Sequence, residues 1–542
     1  MINQQSGNID VLNNGGLNLK EDFIGGQVNE WLDKHPEATT TVQDKSLNVE
    51  KFTDDAKLYV VKDYVTPEMF GAIGDGVTDD TKAINFLLSS GLKNIIFPDK
   101  VYKVSAPLII PSNVNVDFAK SEIVGTKETA ILQINKGTKN VVIKNGFLNG
   151  NKKSNVGILI YNETSEILIE GVTIKNIYGK YHAYAIALPC FNAENIRVNN
   201  CTINGVESDD NGLIGDKRGW SKGVIVGFDG WLNDSLPKEI THTTYSKNIV
   251  IKETTIKNVK SAEDGDGIYI EGITNPDLNP MLFDLPVIIE GCYFENIGKR
   301  FIKVIPCGGV TIRNNYGIIS KDGWNETRLH SFISVYAPNC VIENNEFHCR
   351  KNHVLYMIDL GVQKRFGEYT AGNAFITGNR LYNSADREGD LTACVYYVDY
   401  EGSFSEIFIE NNHINSNYYG ILIDNAHGVA TKVHINGNKF SAPVSSFRAI
   451  EVETKTELLN IVKNYIDNRY TNAPLIIDNA TYVNILDNVM TVNVANNVKC
   501  DYCLIKNNLL FNIATSRRFN VTATGWYISI NNNDSAGGAT TW

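Results

Sequence analysis

The sequence predicts an all-β chain that folds as a single-stranded, right-handed parallel β-helix, a solenoid of stacked coils. The first observation is a phrase that recurs thirteen times: two apolar residues separated by one residue, a short polar stretch rich in Asn and Gly, then another apolar residue. The second is the alternation of apolar and polar residues within each copy, which is typical of a strand. The third is the fixed offset of the Asn and Gly residues, which indicates a turn at the same place in every coil.

The spacing of the phrase supports a solenoid. Clear copies are IEGVTI (169–174), IENNEF (342–347) and IVKNYI (461–466), and successive copies begin 20 to 53 residues apart. Short strands that repeat at such intervals, with turns at a fixed place, stack as coils. We therefore expect apolar side chains to stack inside the solenoid, and Asn side chains in the turns to hydrogen-bond their counterparts in neighbouring coils.

The chain is predicted to have four parts. The first, residues 1–60, is an N-terminal attachment or oligomerisation segment, and the second, residues 61–100, is a β-helix cap. The third, residues 101–515, is the parallel β-helix, and the fourth, residues 516–542, is a C-terminal cap or tail. The first part contains a predicted short helix, EDFIGGQVNEWLDKH, which ends at Pro36. The β-helix has predicted cleft-forming inserts around 205–247 and 261–400, because the longest intervals between copies of the phrase fall in the middle coils.

The cap is predicted to contain a helix from Thr81 to Ser89. Asp79 or Thr78 is a suitable N-cap residue, and the apolar residues of this segment share one face. A helix with one apolar face ahead of a solenoid is expected to cover its open end.

The composition excludes some partners. The chain has 61 Asp and Glu against 50 Lys and Arg, a net charge of -11, which disfavours nucleic acid and anionic membrane surfaces. The first residues lack a basic region followed by an apolar core, and no apolar run is long enough to span a membrane, so we expect no signal peptide and no membrane span. The Cys residues are expected to be small core residues of a reduced protein, and we interpret Cys500 and Cys503 as structural.

A second strand in each coil can be aligned by its own alternation, as in GIYIEG (267–272), FISVYA (332–337) and YYVDYE (396–401). Every second residue then faces inward, which places Tyr356 and Tyr396 inside. The residues between them form two predicted outward columns along successive coils. The first column is Tyr269, Lys303, Ser334, Met357, Tyr397 and Leu422. The second column is Glu271, Ile305, Tyr336, Asp359, Asp399, Asp424, Glu453 and Asp478.

Asp359 and Asp399 are candidate catalytic groups because they lie one coil apart in the second column. Coils are about 4.8 Å apart, so stacked carboxylates repel and at least one should have a raised pKa. Glycoside hydrolysis needs one protonated and one ionised carboxyl, roughly 5 Å apart for retention or roughly 6.5–9.5 Å apart for inversion. Asp359 and Asp399 fit the first distance, and Asp359 and Asp424 approach the second. The other interpretation is that these residues begin the turn and bond its backbone N–H groups.

A second cluster places acidic residues beside basic ones on neighbouring coils. The acidic group is Asp264, Asp266 and Glu271, and the basic group is Arg300 and Lys303. Arg and Lys suit an anionic sugar, because a guanidinium binds carboxylate in a bidentate manner. The alternative is an ion pair across coils with a purely structural role.

Two stretches resemble known proteins. FGAIGDGVTDDTKAINFLL is similar to the N-terminal cap of the pectate-lyase-like β-helix superfamily, which includes polygalacturonases and phage tailspike depolymerases. WLDKHPEATTTVQDKSL is similar to a stretch ahead of such β-helices in phage tail and appendage proteins. The cap carboxylates Asp75, Asp79 and Asp80 recur in this superfamily whatever the substrate, so we expect them to be structural.

DGDGIY also resembles the Asn-Thr-Asp-Gly-Ile-Asp strand of polygalacturonases. This resemblance places Asp266 on a catalytic Asp and His330 roughly where that family has the His of its Gly-His-Gly. The chain departs from the family on the intervening coil, where Lys299 and Arg300 stand in place of an Asp pair. The polygalacturonase mechanism therefore does not transfer whole.

The resemblance implies a phage or prophage tailspike-type depolymerase that binds a bacterial surface polysaccharide along the middle coils and cleaves it, with carboxylate-mediated hydrolysis as the first choice. The expected catalytic residues are Asp264, Asp266, Asp359 and Asp399, with Glu271 in reserve. The expected substrate-binding residues are Arg300, Lys303, His330, Tyr269, Trp220, Tyr336 and Tyr397. No cofactor or metal is expected.

Three alternatives stay open. The first is a lyase, in which Lys303 or Arg300 neutralises a uronate carboxylate while His330 or Tyr269 removes the C5 proton. The others are a non-catalytic receptor-binding adhesin and a structural spike. The resemblance further implies a homotrimer in a virion tail, with the N-terminal segment attached to a virion or tail component and no nucleic-acid or membrane partner.

Overall fold

The structure is a computed structural model that describes most of the chain from residue 64 onward. The described residues are 9–11, 17–19, 64–188, 193–209, 219–227, 246–261, 264–271, 287–305, 309–319, 331–336, 339–349, 355–361, 372–384, 392–398, 404–424, 431–442, 447–453, 455–467, 473–491, 494–511, 519–530, 532–534 and 539–540. The strands Ile9–Val11 and Leu17–Leu19 form an antiparallel pair. The predicted helix that ends at Pro36 lies outside the described residues.

The chain forms a right-handed parallel β-helix, as the sequence predicts. Each coil contributes one strand to each of three parallel sheets, so a strand pairs with the equivalent strands of the coils before and after it. The coil Lys139–Lys144, Phe147–Asn149 and Val156–Ile160 shows the order in which the chain visits the sheets, which we number 1, 2 and 3.

The strands of the three sheets follow one another along the solenoid. Sheet 1 contains Asn94–Ile96, Val114–Asp117, Lys139–Lys144, Ser165–Glu170, Glu194–Asn199, Lys247–Lys252, Val287–Glu290, Val310–Arg313, Cys340–Glu343, Asn373–Thr377, Glu406–Glu410, Lys432–Asn436, Thr456–Val462 and Tyr527–Ile530. Sheet 2 contains Asp75–Asp79, Val101–Val104, Glu122–Gly125, Phe147–Asn149, Thr173–Gly179, Thr202–Ser208, Thr255–Lys260, Tyr293–Ile297, Tyr316–Ile319, Glu346–Cys349, Arg380–Asn383, His413–Ser416, Lys439–Ser441, Tyr465–Asp467, Val489–Thr491, Leu509–Phe511, Asn532–Asp534 and the antiparallel Ala539–Thr540. Sheet 3 contains Leu108–Ile110, Ala130–Ile134, Val156–Ile160, His182–Leu188, Trp220–Val226, Asp264–Glu271, Arg300–Ile305, Ser331–Val335, Tyr356–Gly361, Ala393–Val398, Tyr419–Asp424, Arg448–Val452 and Phe519–Ala523. Leu475–Leu486 and Asn496–Lys506 are long enough to run from sheet 3 into sheet 1.

The core is a continuous column of apolar side chains inside the coils. The apolar residues that anchor the recurring phrase are buried there and pair with each other in register, for example Ile143 with Ile169 and Ile169 with Val198. Burial of apolar area at about 25 cal/mol per Å² is the main favourable term for such a stack.

A ladder of buried asparagines runs beside the core at the turn between sheets 1 and 2. In each rung the backbone N–H and the Nδ2 group both donate to the Oδ1 of the next rung, over 2.9 to 3.1 Å. The ladder confirms the predicted Asn contacts between coils. Its rungs are Asn315, Asn345, Asn379, Asn412, Asn438, Asn464, Asn488 and Asn508.

The residue before each rung turns the chain sharply. Asn314, Asn344 and Asn411 have φ values of 56°, 54° and 55°, and Gly378 has φ 68°. This left-handed region is accessible to Gly and, among other residues, best tolerated by Asn. The Asn and Gly of the recurring phrase therefore have two roles, one residue for the turn and the next for the ladder.

The cap helix runs from Thr81 to Leu88 and ends one residue before the predicted Ser89. Its buried Ile84, Leu87 and Leu88 join the solenoid core, which agrees with the predicted role of covering the first coil. The N-cap residue is Asp80 and not the predicted Asp79 or Thr78, although Asp79 Oδ1 accepts the Thr81 N–H at 3.1 Å.

The cap carboxylates bond local backbone groups. Asp75 accepts the N–H groups of Val77 and Thr78 at 2.8 and 2.7 Å. Asp80 accepts those of Ile73 and Gly74 at 2.7 and 3.1 Å. These bonds fix the loop that precedes the helix, which is the structural role that the sequence predicts.

The cysteines among the described residues are buried and unbridged, Cys500 and Cys503 included. Burial raises the pKa of the Cys292 and Cys394 thiols to about 12, so these are inert core groups. No helix in the described ranges is long and apolar enough to cross a bilayer.

Removal of one ladder amide should destabilise the fold. Asn412→Ala leaves the buried Asn379 N–H and the Ile376 carbonyl without their partner, each at a cost of about 1–3 kcal/mol. We expect the free energy of unfolding, measured by chemical denaturation, to fall by about 2–4 kcal/mol. The control Asn520→Ala removes an exposed amide bond and should change it by less than about 0.5 kcal/mol. Equal losses in the two variants would contradict a structural ladder.

Candidate functional site

The strands of sheet 3 bend in the middle, and this bend creates the candidate site. Phe332 and Ile333 are consecutive, yet both are buried in the core, so the strand changes direction between them. The flanking Ser331 and Ser334 consequently converge on the outside, where their Oγ atoms are 2.5 Å apart. The outer surface of sheet 3 on both sides of this corner, which we call the outer bend, is therefore concave.

A buried cluster of opposite charges occupies the outer bend at its middle coils. Lys222, Asp266 and Arg300 stack in register on three consecutive coils. Lys222 Nζ lies 2.5 Å from Asp266 Oδ2, and Arg300 Nη1 lies 3.4 Å from Asp266 Oδ1. Lys222 and Asp266 are fully buried and Arg300 is 7% exposed. The charges alternate along the column, so each carboxylate or cation has an opposite charge next to it.

Asp264 is the centre of the cluster. Its carboxylate contacts four cations, with N–O distances of 3.0 Å to Lys222, 2.9 Å to Lys299, 2.8 Å to Arg300 and 3.4 Å to Lys303. Burial alone would raise its pKa, but the four cations outweigh burial and hold the pKa of Asp264 well below its ordinary value. Asp264 is therefore ionised at any physiological pH and does not serve as a proton donor.

Lys303 combines partial exposure with a depressed pKa. Burial lowers the pKa of its amine to about 8, against the opposing attraction of Asp264. Its Nζ lies 4.9 Å from the centre of the Tyr269 ring, and Lys222 Nζ lies 4.4 Å from the same ring. An amine with a pKa near 8 is partly neutral in mildly alkaline solution and can accept a proton there.

Asp359 extends the site along the axis. It is fully buried, stacks on Ser334, and accepts bonds from the Ser334 hydroxyl at 3.1 Å and from the Tyr336 hydroxyl. Burial raises the pKa of Asp359 to about 6, although these hydroxyls and Arg300 favour its charged form. Asp359 is thus a carboxyl that can be protonated near neutral pH.

Aromatic residues flank the charged cluster. Trp220 is half-buried one coil before Asp264, with its ring 5.5 Å from Lys222 Nζ. His182 lies edge-on to Trp220 at 6.1 Å. Burial lowers the pKa of His182 to about 4, so this imidazole is neutral at physiological pH.

The structure brings together most of the predicted site residues that it describes. Asp264, Asp266, Arg300 and Lys303 form one ion-paired cluster, which is the alternative that the sequence left open for them. Tyr269, Trp220 and Tyr336 border this cluster or Asp359. The Glu271 side chain, His330 and Asp399 lie outside the described residues.

The predicted outward columns were wrong on the two coils after Ser334, whereas Leu422 lies in the first column as predicted. The register pairs Asp359 with Ser334 and Tyr396, so Asp359 belongs to the first column and does not lie opposite Asp399. Tyr397 and Met357 face the core, and Tyr396 faces outward in an apolar cluster outside it. The reason is the bend, which uses two consecutive inward residues and so shifts the alternation by one.

This register also separates the predicted catalytic carboxyls. Asp266 and Asp359 are three coils apart, about 14 Å at about 4.8 Å per coil. That separation exceeds the roughly 5–9.5 Å of glycosidase carboxyl pairs. Asp266 and Asp359 therefore do not form a hydrolytic pair.

Sequence reasoning missed Lys222, although it is the most deeply buried cation of the site. Its segment, WSKGVIVG, places a lysine in an otherwise small and apolar strand, which is a signal for a buried partner. The sequence separation of 44 residues from Asp266 conceals the fact that they stack directly. Within the described ranges, no group of three or more His, Cys, Asp or Glu side chains is placed to hold a metal ion.

Loss of Lys222 should destabilise the fold, because the fully buried Asp266 carboxylate then lacks one of its neighbouring positive charges. We expect Lys222→Ala to lower the free energy of unfolding by about 3–5 kcal/mol, as is usual when one partner of a buried ion pair is removed. The matched control is Lys257→Ala, which removes the partly exposed pair with Glu295 at 2.9 Å and should cost less than about 1 kcal/mol. Denaturant titration of both variants tests this, and a Lys222→Ala variant as stable as the control would refute the ion-pair account.

Comparison with known proteins finds solved structures that share the fold. No protein-family model matches the chain, and no curated protein matches it. The surface adhesin PfbA of Streptococcus pneumoniae is 17% identical with a TM-score of 0.55, over 72% of this chain and 93% of PfbA. A tailspike variant of E. coli bacteriophage HK620, in complex with a hexasaccharide, is 12% identical with a TM-score of 0.51, over 80% of this chain and 76% of the tailspike. A second complex of that tailspike, with a pentasaccharide, is 13% identical with a TM-score of 0.52, over 80% and 77% of the two chains. The chain thus shares its fold with a bacterial surface adhesin and with a phage tailspike.

Proposed function

We propose that the chain is a tailspike-type depolymerase that binds an anionic bacterial surface polysaccharide along the outer bend and cleaves it. The fold shared with a tailspike that holds a hexasaccharide supports a glycan ligand. The observation that carries the proposal is the surplus of positive charge in the cluster, where four cations surround two carboxylates, Asp264 and Asp266. The proposal includes a virion-tail location, a homotrimer, and attachment through the N-terminal segment.

The order of burial supports an anionic ligand. The Lys299 and Lys303 side chains are 21% and 15% exposed, whereas that of Asp264 is 8% exposed and those of Lys222 and Asp266 are buried. A ligand that enters the bend therefore meets cations first. A charge-assisted hydrogen bond from such a group to a carboxylate or phosphate contributes roughly 1.5–3 kcal/mol.

Elimination at a uronate is the chemistry that the cluster supports best. Lys299 would neutralise the uronate carboxylate, which acidifies the C5 proton. Neutral Lys303 would take that proton, and the C5–H electrons would form the C4–C5 double bond. The C4–O bond to the next sugar would then break, and the leaving oxygen would take a proton from solvent or from Tyr269. This assigns the base to Lys303 because its amine has a pKa of about 8.

Hydrolysis is the second candidate, and Asp359 supports it. A buried carboxyl with a pKa of about 6 has the property required of a general acid. Its partner would have to be Asp399, because Asp264 and Asp266 are ion-paired and lie, like Glu271, on a strand three coils away. The fold shared with the PfbA adhesin supports a third candidate, a protein that binds polysaccharide without cleaving it.

A polymer panel separates these candidates. The chain is incubated with a uronate-containing capsular polysaccharide, a teichoic acid and a neutral polysaccharide, and fragment size and end groups are measured. Elimination shortens the uronate polymer and creates unsaturated ends that absorb ultraviolet light, whereas hydrolysis shortens a polymer without that absorbance. Binding without shortening would select the adhesin. Equal binding to all three polymers would contradict an anionic ligand.

The pH dependence of cleavage should distinguish the two mechanisms. If Lys303 is the base, kcat/KM should rise as the pH increases through about 8, because the neutral amine is the reactive form. If protonated Asp359 is the acid, kcat/KM should instead fall as the pH increases through about 6. A pH–rate profile that covers both pH values shows directly whether kcat/KM rises or falls as the pH increases.

Substitutions at the same two residues provide an independent test. Lys303→Gln should lower kcat by about 100-fold or more, the usual contribution of a general base, with a smaller effect on polymer binding. Asp359→Asn is the matched change of a second buried group and should reduce turnover far less. Full activity in Lys303→Gln together with an inactive Asp359→Asn would replace elimination by hydrolysis.

A further inference from the structure

Two cysteines near the end of the solenoid form a pair that the proposed function does not use. Cys500 and Cys503 make a C-x-x-C motif within the strand Asn496–Lys506. Cys500 is 7% exposed and Cys503 is fully buried, and both side chains belong to the core. The two thiols are hydrogen-bonded to each other. Two thiols in direct contact are the starting arrangement for a disulfide bond.

A corner of the coil brings the two thiols together. Cys500 ends the part of the strand that pairs with sheet 3, opposite Ala523, and Cys503 begins the part that pairs with sheet 1, opposite Tyr527. In a straight strand, residues three positions apart point to opposite faces, and their thiols would not meet. Here both cysteines point into the core, so their side chains converge on the concave side of the corner.

The surroundings of Cys500 leave room for its sulfur to move and for a small reagent to reach it. Cys500 stacks on Ala480 of the preceding coil and on Ala523 of the following coil, so both neighbours in its column have a side chain of one methyl group. In the part of the chain that the structure describes, a single coil follows the pair. Terminal elements open most readily, and local opening of this last coil exposes the pair.

The hydrogen bond makes the two thiols chemically unequal. The Cys503 S–H donates to the Cys500 sulfur and lowers the pKa of Cys500, because it stabilises the thiolate. The same bond, together with burial, raises the pKa of Cys503. Burial raises the pKa of Cys201, Cys292 and Cys340 to about 12, so these thiols are unreactive by comparison. The thiolate is the nucleophile of disulfide exchange, so Cys500 is the attacking group and Cys503 the resolving group.

We propose that Cys500 and Cys503 form a redox site, which a small-molecule disulfide such as oxidised glutathione converts to an intramolecular disulfide. The Cys500 thiolate attacks one sulfur of the reagent, so a mixed disulfide forms and the first thiol of the reagent leaves. Cys503 then gives up its proton to solvent and its sulfur attacks the Cys500 sulfur, so the second thiol leaves. The cysteine pair is oxidised by two electrons, and these electrons reduce the reagent to two thiols.

The surroundings of the protein determine the state of the pair. A reducing compartment keeps the dithiol, and an oxidising medium outside the cell closes the disulfide. The closed form links the two parts of the strand across the corner on which the last coil stacks. The inference does not rest on polymer cleavage, because the pair lies seven coils from Lys303, about 34 Å at about 4.8 Å per coil.

One tryptic peptide reports on both thiols. Trypsin cuts after Lys499 and Lys506 and releases CDYCLIK, which contains the pair and no other cysteine. The folded chain is treated with oxidised glutathione and denatured, the remaining thiols are alkylated, and the digest is analysed by mass spectrometry. We expect CDYCLIK to lose both alkylation sites and about 2 Da, the mass of two hydrogens, while the Cys292 peptide stays alkylated. A CDYCLIK peptide that still carries two alkyl groups, or a bound glutathione, would overturn the proposal.

Single substitutions separate the two roles. Cys503→Ser removes the resolving thiol, so the mixed disulfide of Cys500 with glutathione should accumulate. Cys500→Ser removes the attacking thiol and should leave Cys503 reduced. Thermal unfolding of each variant under reducing conditions checks that it is folded. Reaction of Cys503 in the Cys500→Ser variant at the rate of the wild-type pair would contradict the assigned roles, and a disulfide that forms only in the denatured wild-type chain would show that the fold does not build the site.

Discussion

The fold depends on one constraint: each position of a coil stacks on the same position of the next coil, at about 4.8 Å. Only side chains that tolerate a copy or a complement of themselves satisfy it. Apolar residues satisfy it because their packing against each other requires no particular orientation, as in the core. Asparagine does so because one amide both donates and accepts, as in the ladder from Asn315 to Asn508. Buried charged residues satisfy it here by alternating in sign, as in the Lys222, Asp266 and Arg300 column.

The same constraint explains why the sequence predicts the fold well. Every coil repeats the evidence for the inward positions, the turn and the ladder, so an ambiguous copy is corrected by its neighbours. The bend of sheet 3 escaped prediction because alternation assumes a straight strand. Two consecutive inward residues, such as Phe332 and Ile333, break the period of two, and neither of them is unusual in the sequence. The predicted alternation was consequently displaced by one on the coils of Tyr356 and Tyr397, which put Tyr397 on the wrong face.

The candidate site was predictable where consecutive coils are close in sequence. Asp264, Asp266, Arg300 and Lys303 were identified together because they occupy neighbouring coils of the chain. Lys222 was not, because a long insert separates it from Asp266 and hides their direct stacking. Burial, which sets the pKa values of Asp359 and Lys303, also has no signature in a single sequence, since it depends on how the coils pack in three dimensions.

Charge balance separates the structural part of the site from the part that suggests a function. A column that only holds coils together can be neutral by alternation, and Lys222, Asp266 and Arg300 need only Asp264 to reach neutrality. The positive charges of Lys299 and Lys303 are in excess of what neutrality requires. Both are partly buried, so both lose hydration, and burial lowers the pKa of each amine. Buried ion pairs often contribute little net stability compared with apolar residues of similar size. The presence of these two lysines is accounted for if a ligand supplies the missing negative charge. The bound ligand would then also change the pKa of Lys303, which is about 8.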